Sequence, residues 1–568
     1  MGSIHEVTNQ ASELVDYNLF TTNPALVDAV AREAGAAEHD RIAALGERLG
    51  SAEMFSLAEA ANRNPPVLKL FDRFGRRRDE VEFHPSWHEL LRRLVAEGLH
   101  TGPWEDALAH ESTHYPSRKG ESPARGSAHS SPGAHAARAA GYMLWAEIEN
   151  GTQCPATMTY GAVAALAHQP EDFGTWLPLL LSREYDSRFI PSANKRGALM
   201  GMGMTEKQGG SDVRSNTTRA EPAGARGPGR EYRLTGHKWF FSAPMCDAFL
   251  VLAQAPGGLS CFFMPRFLPD GTRNTLRLQR LKDKLGNRSN ASSEVEFEST
   301  YCVLVGEEGR GIPTILEMGV YTRLDNAVAS AGLMRQCVSQ AIHHARERTA
   351  FGRPLIDQPL MRNVLADLAL ECESAIVLAM RLAHAFDARQ GDAELLLRRV
   401  LTPTAKYWIC KRAPCVGAEA MEVFGGNGYV EEGPIARRFR EMPLNSIWEG
   451  SGNIMCLDVL RALSREPRTR EALDAALAAA QGRDPRFDAF VARLSSELNV
   501  PADTELRARR LTEMIALAMQ AAVLLTHGPA TSAEAFLASR LAERPPAAFG
   551  TLQSGLDHAA LIERIFCA

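Results

Sequence analysis

A chain of 568 residues with 45% hydrophobic and 23% charged residues has the make-up of a folded multidomain protein, which excludes a disordered or fibrous chain. Its 63 Lys and Arg against 68 Asp and Glu leave a net charge of −5, so it carries no global basic field for nucleic acid or an anionic membrane. The ten cysteines are scattered, and the nearest regular pair, Cys410 and Cys415, lacks metal-ligand spacing; they read as reduced core thiols of a cytoplasmic protein.

The opening Met1 to Glu6 has neither an apolar signal core nor the hydroxyl residue of a myristoylation motif, and no later segment approaches a membrane span. Residues 1–200 read as mainly helical, with Ala25 to Leu49 and Trp87 to Leu94 carrying apolar residues at helical spacing. Ser117 to Ala134 is a low-complexity insertion that reads as a mobile surface loop. Over residues 201–305 the texture changes to short β-like runs separated by Gly, Pro and Asp turns: Tyr232 to Leu234, Ala248 to Gln254, Leu259 to Phe263, Leu276 to Leu278 and Val295 to Phe297.

Helical periodicity returns over residues 306–465. Leu324, Val328, Ala331, Met334, Val338 and Ile342 share one face, and Leu365, Leu368, Cys372, Ala375, Ala379 and Leu382 share another, as in a four-helix bundle. Residues 466–568 are helical in texture again and read as a further helical domain. His343-His344 lacks an acidic or Cys partner at ligand spacing and reads as a surface pair, so no metal site is expected.

Two segments carry chemistry. Ile447-Trp448-Glu449-Gly450-Ser451-Gly452-Asn453-Ile454-Met455 sets one carboxylate beside an aromatic ring and then opens a helix with small residues. A carboxylate flanked by bulky apolar groups suits a general base, and unhindered amides at a helix N-terminus suit a polarised or anionic ligand. On spacing alone, Glu449 is equally an ordinary first-turn Glu stabilising a helix dipole. The second segment, Gly201 to Asp212, ends an apolar run in a small-residue turn with Thr205, Gly209, Gly210 and Ser211, which suits a phosphate or a flavin edge.

Together these segments resemble the acyl-CoA dehydrogenase superfamily, with its Met-Thr-Glu…Gly-Ser-Asp flavin loop and aromatic-Glu-Gly-Thr/Ser catalytic segment. His237-Lys238-Trp239-Phe240-Phe241-Ser242 resembles its flavin strand, Arg348-Thr349-Ala350-Phe351-Gly352 with Gln358 its Arg-x-x-Phe-Gly segment, and Phe424-Gly425-Gly426-Asn427-Gly428-Tyr429 its pyrophosphate loop. The matches run in the family's order from about residue 200 to 460. Met204 to Val213, Leu281 to Ser292 and Asn445 to Asp458 further resemble the AidB branch, flavoproteins of the adaptive response to DNA alkylation.

The resemblance implies an α+β fold: an N-terminal helical domain, a middle β domain, a C-terminal four-helix bundle and an extra C-terminal helical domain. It implies FAD, a short or branched, isovaleryl-CoA-like acyl-CoA substrate, an electron-transfer acceptor, and a homo-oligomer built as a dimer of dimers. Glu449 is then the base that takes the α-proton, while the backbone N–H at this Glu and a flavin hydroxyl stabilise enolate-like charge. Met202, Met204, Thr205, Gly210 and Ser211 contact the flavin, Trp239, Phe240, Phe241 and Ser242 cover its ring, and Ile447, Trp448, Ser451 and Asn453 reach it from the catalytic segment. Arg348, Phe351, Gly425 and Gly426 hold the pyrophosphate across a subunit interface. Thr322 stands where some members place an alternative base, and Thr cannot serve as one.

Lys207-Gln208, Phe240-Phe241, Glu422 and Val320-Tyr321 depart from the family pattern, and the bulk of Trp448, Tyr321, Phe240 and Phe241 narrows an acyl or CoA channel. A second reading follows from the branch: a flavoprotein that binds duplex DNA and keeps weak or vestigial dehydrogenase activity. Its expected footprint is Arg461, Arg465, Arg468 and Arg470 with Arg507, Arg509 and Arg510, although residues 470–568 hold ten Arg and no Lys against twelve Asp or Glu.

Overall fold

The strand-like texture of residues 201–305 folds into a ring of strands. The computed structural model describes residues 5–105, 131–167, 169–387, 393–543 and 546–567, and the chain divides into two compact units. One, the barrel unit, comprises Glu53–Ala134 and Glu149–Asp325; the other, the helical unit, comprises Met1–Ala52, His135–Ile148 and Asn326–Ala568. The insertion Ser117 to Ala134 lies outside the described residues except for its last four.

In the barrel unit the strands are β3 (Met200–Gly203), β4 (Arg219–Pro222), β5 (Glu231–Ser242), β6 (Ala248–Ala255), β7 (Gly258–Pro265), β8 (Leu276–Leu281) and β9 (Ser292–Val305), after a separate hairpin of β1 (Val67–Phe71) and β2 (Arg77–Glu82). Strands β6, β4, β5, β9 and β7 pair in that order and β7 returns to β6, so the ring closes, with β3 added beside β6 and β8 beside β9. Closure removes open sheet edges. The continuous apolar run Ala248 to Ala253 is wholly buried, as a strand flanked on both sides requires, whereas β5 alternates, with Tyr232 and Leu234 inward and Glu231 and Thr235 outward.

Two sequence expectations change here. The hairpin β1–β2 interrupts the helical texture of residues 1–200, because Val67 to Phe71 has no helical spacing and Gly75, at φ +79°, makes the turn. Ala25 to Leu49 is two helices, α1 (Pro24–Glu33) and α2 (His39–Leu49), broken at Gly35 with φ +100°. Helices α3 (Ala52–Arg63) and α4 (Pro85–Ala96) flank the hairpin in sequence. After α5 (Ala134–Ala146) comes α6 (Gln153–Leu166), which is buried on every face; the Glu149 carboxylate ahead of it accepts from Gly151 N, Thr152 N, Thr152 Oγ1 and Ser289 Oγ at 2.6–2.8 Å. A satisfied anion at that end also complements the helix dipole.

The helix α7 (Gly311–Glu347) begins in the barrel unit, and the helical unit is built on its part from Asn326 onward with α8 (Pro359–His384) and α9 (Ala393–Val423); the three helices are 37, 26 and 31 residues long. Both apolar faces read from the sequence are buried. Helices α10 (Ala436–Asn445) and α11 (Gly452–Arg465) follow, then α12 (Pro467–Ala478), α13 (Pro485–Leu498), α14 (Ala508–His527), α15 (Ala530–Arg540) and α16 (His558–Glu563), all in the same unit. Their attachment is ionic as well as apolar. Buried Asp367 and Glu371 on α8 meet Arg540 at 2.5 and 3.1 Å, Glu371 also meets Arg412 at 2.7 Å, and Glu373 meets Arg564 at 2.8 Å.

Arg335 on α7 is the most deeply buried cation of this unit. Its side chain exposes no surface, and it donates to Glu147 at 2.7 Å, to Thr22 Oγ1 at 2.8 Å and to Ile565 O at 3.4 Å. One guanidinium thus joins the start of the chain, the residue after α5, and the C-terminal segment. Arg335→Met leaves the Glu147 carboxylate buried without its cation, and we expect it to lose about 3–5 kcal/mol of stability. A lowered denaturation midpoint that Arg335→Met/Glu147→Leu largely restores is the expected result; a single variant as stable as the parent would refute the role of the pair.

Candidate active site

Strand β3 ends at Gly203, and the loop after it is fixed to β5 by a buried ion pair. Lys238 Nζ donates to Glu206 Oε1 at 2.8 Å, and neither side chain exposes any surface. Glu206 also accepts from Thr217 N, Thr217 Oγ1, Thr218 N and Gln208 Nε2 at 2.7–3.2 Å, which satisfies both of its oxygens. Burial works against ionisation of this carboxyl, but the Lys238 ammonium and the donors from Thr217 and Thr218 hold it well below the ordinary carboxylate range. Burial lowers Lys238 to about 8 against the pull of Glu206. Trp239 N then donates to Thr205 O at 2.9 Å, so loop and strand move as one piece.

This arrangement leaves Met202, Met204, Thr205, Trp239 and Ser242 half-buried and Gly210, Ser211 and Phe240 exposed. A Cβ on Gly210 would lie 2.4 Å from Thr205 Oγ1, so glycine is what allows the loop to fold over the threonine. Phe241 departs from its expected role. A register shift between Lys238 and Phe241 leaves both Trp239 and Phe240 off the interior and turns Phe241 inward, fully buried and 4.4 Å from the Phe249 ring. It is a core residue and neither covers a flavin nor narrows a channel. Lys282, which the sequence reading passed over, lies 3.3 Å from the Trp239 ring and 4.8 Å from Phe240, and pairs with Glu294 at 2.5 Å. A lysine one residue before an acid, at the end of a strand, gives no sequence signal of this stacking. Tyr321 packs edge-on to Trp104 and Tyr160, at 5.2 and 5.1 Å, and Thr322 donates to Gly319 O at 3.1 Å within its own helix.

In the helical unit the turn between α10 and α11 carries Glu449. Its φ is +59° and that of Gly450 is +112°, two successive residues in the left-handed region. For a non-glycine residue that conformation costs about 1–2 kcal/mol, so surrounding contacts must hold it. Trp448 Nε1 donates to Asn445 Oδ1 at 3.1 Å, and Asn445 Nδ2 donates to Ser330 Oγ at 3.1 Å, which fixes the ring of the residue before Glu449. Lys406, 1% exposed on α9, donates to Trp448 O at 2.9 Å and to Gly450 O. Ser451 caps α11 with extended backbone, and Met455 N closes onto Ser451 O at 3.0 Å. The chain therefore presents half-buried Glu449, Trp448 and Ser451, with Ile447 and Asn453 exposed. Asn453 Oδ1 accepts from Arg509 Nε of α14 at 2.8 Å. Lys406 escaped the sequence reading, although a lone lysine among buried Thr402, Ala405, Ile409 and Cys410 was a signal.

The remaining predicted residues lie at the ends of long helices. Arg348 donates through Nη1 to Asn9 O, while Asn9 exchanges two hydrogen bonds with Thr349, both 2.8 Å. Phe351 is 98% exposed. Gly425, at φ +60°, and Gly426 end α9 in the open, with no atom within 4 Å of an added Cβ. His344 is not a surface residue: it is buried, its ring lies 4.5 Å from Phe424, and burial lowers its pKa. Among the described residues no three His, Cys, Asp or Glu side chains are grouped to hold a metal, and no helix is long and apolar enough to cross a membrane.

The arginines expected to mark a nucleic-acid surface are largely committed. Arg468 pairs with Glu466, Arg470 with Asp474, and Arg507 and Arg510 with Glu497, while Arg509 holds Asn453. A cavity of about 480 Å³ in the barrel unit, lined by Phe83, Trp87, His88, Tyr185, Lys195 and Asp247 among others, contains none of the predicted site residues.

Comparison with known proteins matches residues 9–187 to the family described as Adaptive response protein AidB N-terminal domain, residues 201–300 to Acyl-CoA dehydrogenase, middle domain, and residues 309–464 to Acyl-CoA dehydrogenase, C-terminal domain. The chain is 49% identical to AidB of Escherichia coli (strain K12), over 94% of this chain and 93% of that protein. Among solved structures it is similar to Caenorhabditis elegans ACDH-11 in complex with C11-CoA, with a TM-score of 0.81, 25% identity and coverage of 100% of this chain and 94% of that one. It is also similar to the apo form of Bd2924, with a TM-score of 0.78, 27% identity and coverage of 91% and 99%.

Because the Glu206 carboxyl titrates below its unfolded value, its stabilising contribution is complete above the ordinary carboxylate pKa and is lost as pH falls below it. Glu206→Gln should lower the denaturation midpoint at neutral pH and flatten its decline on acidification. Equal acid slopes for parent and variant would refute the assignment.

Proposed function

Because the chain belongs to the acyl-CoA dehydrogenase family, in its AidB branch, we propose that it dehydrogenates a short or branched, isovaleryl-CoA-like acyl-CoA between Cα and Cβ, with Glu449 as base. The observation that carries this reading is the left-handed turn that sets Glu449 just ahead of a helix, directly after Trp448, whose indole is held by Asn445.

The family implies FAD, and the residues present fit it. Trp239 and Phe240 leave the barrel interior beside a loop whose glycines leave its amides unhindered, and Gly425 and Gly426 leave open space where a Cβ would project. By the family resemblance Met202, Met204, Thr205, Gly210, Ser211, Trp239, Phe240 and Ser242 would contact the flavin, as would Ile447, Trp448, Ser451 and Asn453, while Arg348, Phe351, Gly425 and Gly426 would serve the pyrophosphate of a neighbouring subunit in a dimer of dimers. When bound, FAD supplies the two-electron oxidant that accepts the Cβ hydride.

The protein's own part is proton chemistry and positioning. The Glu449 carboxylate takes the α-proton, and the electron pair of that C–H bond becomes the new double bond as hydride leaves Cβ. The α-proton of a thioester is too weakly acidic for a carboxylate alone, so the Glu449 N–H stabilises charge on the thioester oxygen. An electron-transfer protein of the cytoplasm would then reoxidise the cofactor. A DNA-associated role has less support, because four of its seven candidate arginines are ion-paired and a fifth is engaged by Asn453.

Anaerobic titration of the FAD-loaded protein with isovaleryl-CoA and butyryl-CoA should bleach the flavin, and Glu449→Gln should slow bleaching by about 10²–10⁴-fold. FAD that stays oxidised in the parent would refute the dehydrogenase reading, and bleaching unaffected by the substitution would refute Glu449 as base.

A further inference from the structure

Lys406 lies 42 residues before Trp448 in sequence, yet its Nζ reaches the carbonyls on both sides of Glu449. It is 1% exposed, on a face of α9 that includes Thr402, Ala405, Ile409 and Cys410, all buried. A lysine there is poorly suited to packing, because an ammonium removed from water needs acceptors in place of the water it gave up. Those acceptors are main-chain oxygens of the one turn in the helical unit that carries a predicted catalytic group.

Resting on the dehydrogenase reading above, we propose that Lys406 is the positioning residue of the catalytic segment: its buried ammonium holds Glu449 in the left-handed turn and polarises the peptide that joins Trp448 to Glu449.

The first part follows from geometry. Glu449 and Gly450 are both left-handed, and this brings the oxygens of residues 448 and 450 to a single cation. Relaxing Glu449 toward an ordinary backbone conformation would take at least one oxygen away from Nζ. The second part follows from covalent structure. The Trp448 carbonyl and the Glu449 N–H belong to one planar, conjugated peptide unit. A cation on its oxygen draws density away from its nitrogen and makes the N–H a stronger donor, as hydrogen-bonded chains polarise one another. That N–H is the donor proposed for the thioester oxygen. Lys406, 1% exposed, therefore acts on the reaction through the backbone. Lys411 and Tyr407, neighbours on α9, crowd the same turn from below: a Cβ on Gly452 would meet them at 3.1 and 3.4 Å.

The test compares the FAD-loaded full chain with Lys406→Gln, Lys406→Met and Lys406→Arg. With isovaleryl-CoA, the Gln and Met variants should bleach about 10- to 100-fold more slowly while their dissociation constants for the substrate change little, the pattern of a supporting residue and not of a binding one. With 3-thiabutyryl-CoA, whose α-proton leaves without hydride transfer, both should give a weaker charge-transfer band, and Lys406→Arg, which returns the charge, should recover it. Parent-like bleaching and band in either neutral variant overturn the proposal. So does a loss that follows FAD release or a lowered denaturation midpoint, which would make Lys406 a scaffold residue. If the parent itself fails to bleach, the dehydrogenase reading falls alone, and amide hydrogen exchange across residues 447–453 decides the clamp. Faster exchange in Lys406→Gln is expected, and exchange equal to the parent overturns it.

Discussion

Removing a charged side chain from water costs several kcal/mol, and among the described residues this chain accepts that cost most fully at the three cations exposed by 1% or less, Lys238, Arg335 and Lys406. Each is tolerable only once acceptors from elsewhere in the sequence have arrived. Lys238 needs the loop of Glu206, Arg335 needs the residue after α5 and the two chain-terminal segments, and Lys406 needs the turn around Glu449. Burial thus makes the parts interdependent: a loop or turn that is left loose leaves a buried charge unmatched. Two of the three hold segments that carry predicted site residues, which gives those segments a rigidity that their glycines alone would not.

The sequence disclosed the elements whose signal is local. Small residues after β3 and the run from Ile447 to Met455 mark the two segments predicted to carry chemistry, and helical spacing identifies the buried faces of α7 and α8. Signals that depend on partners were lost. Period two along β5 predicts the inward residues until the irregularity after Lys238, which resets the alternation and sends Phe241 into the core. Lys406 and Lys282 go unmarked because a sequence shows which face a residue occupies but not which carbonyl or ring awaits it there. His344 misled for the same reason, since its ring is buried against Phe424. The hairpin β1–β2 was missed because its strands are short and only partly buried, so their apolar pattern is faint.

Among the arginines of the C-terminal hundred residues, two groups differ that composition merges. Arg540 and Arg564 turn inward to the carboxylates of α8, where they neutralise Asp367, Glu371 and Glu373 in a place of low dielectric. Arg470 lies nearer the surface against Asp474 one turn on in α12, and Arg507 and Arg510 against Glu497 of α13, where each pair is worth less. Arg509 stands apart, because its partner Asn453 belongs to the segment proposed to be catalytic. The helices after Arg465 thus reach the first turn of α11, and the added length does more than enlarge the bundle.

The two ends of the sequence are stitched together. Ala25 N donates to Arg564 O, Cys567 N donates to Thr22 O, and Arg346 donates to Phe566 O. A ribosome delivers these partners far apart in time, so α1 must wait for α8, on which it packs, and later still for its bonds to residues 564–567. Closing so long a loop costs little extra at equilibrium but postpones assembly. The barrel unit, whose strands all lie between residues 67 and 305, has its pairing partners long before that. The nascent chain therefore passes through a stage in which the barrel is complete while the first helices still show their apolar faces, the stage at which a chaperone has something to bind.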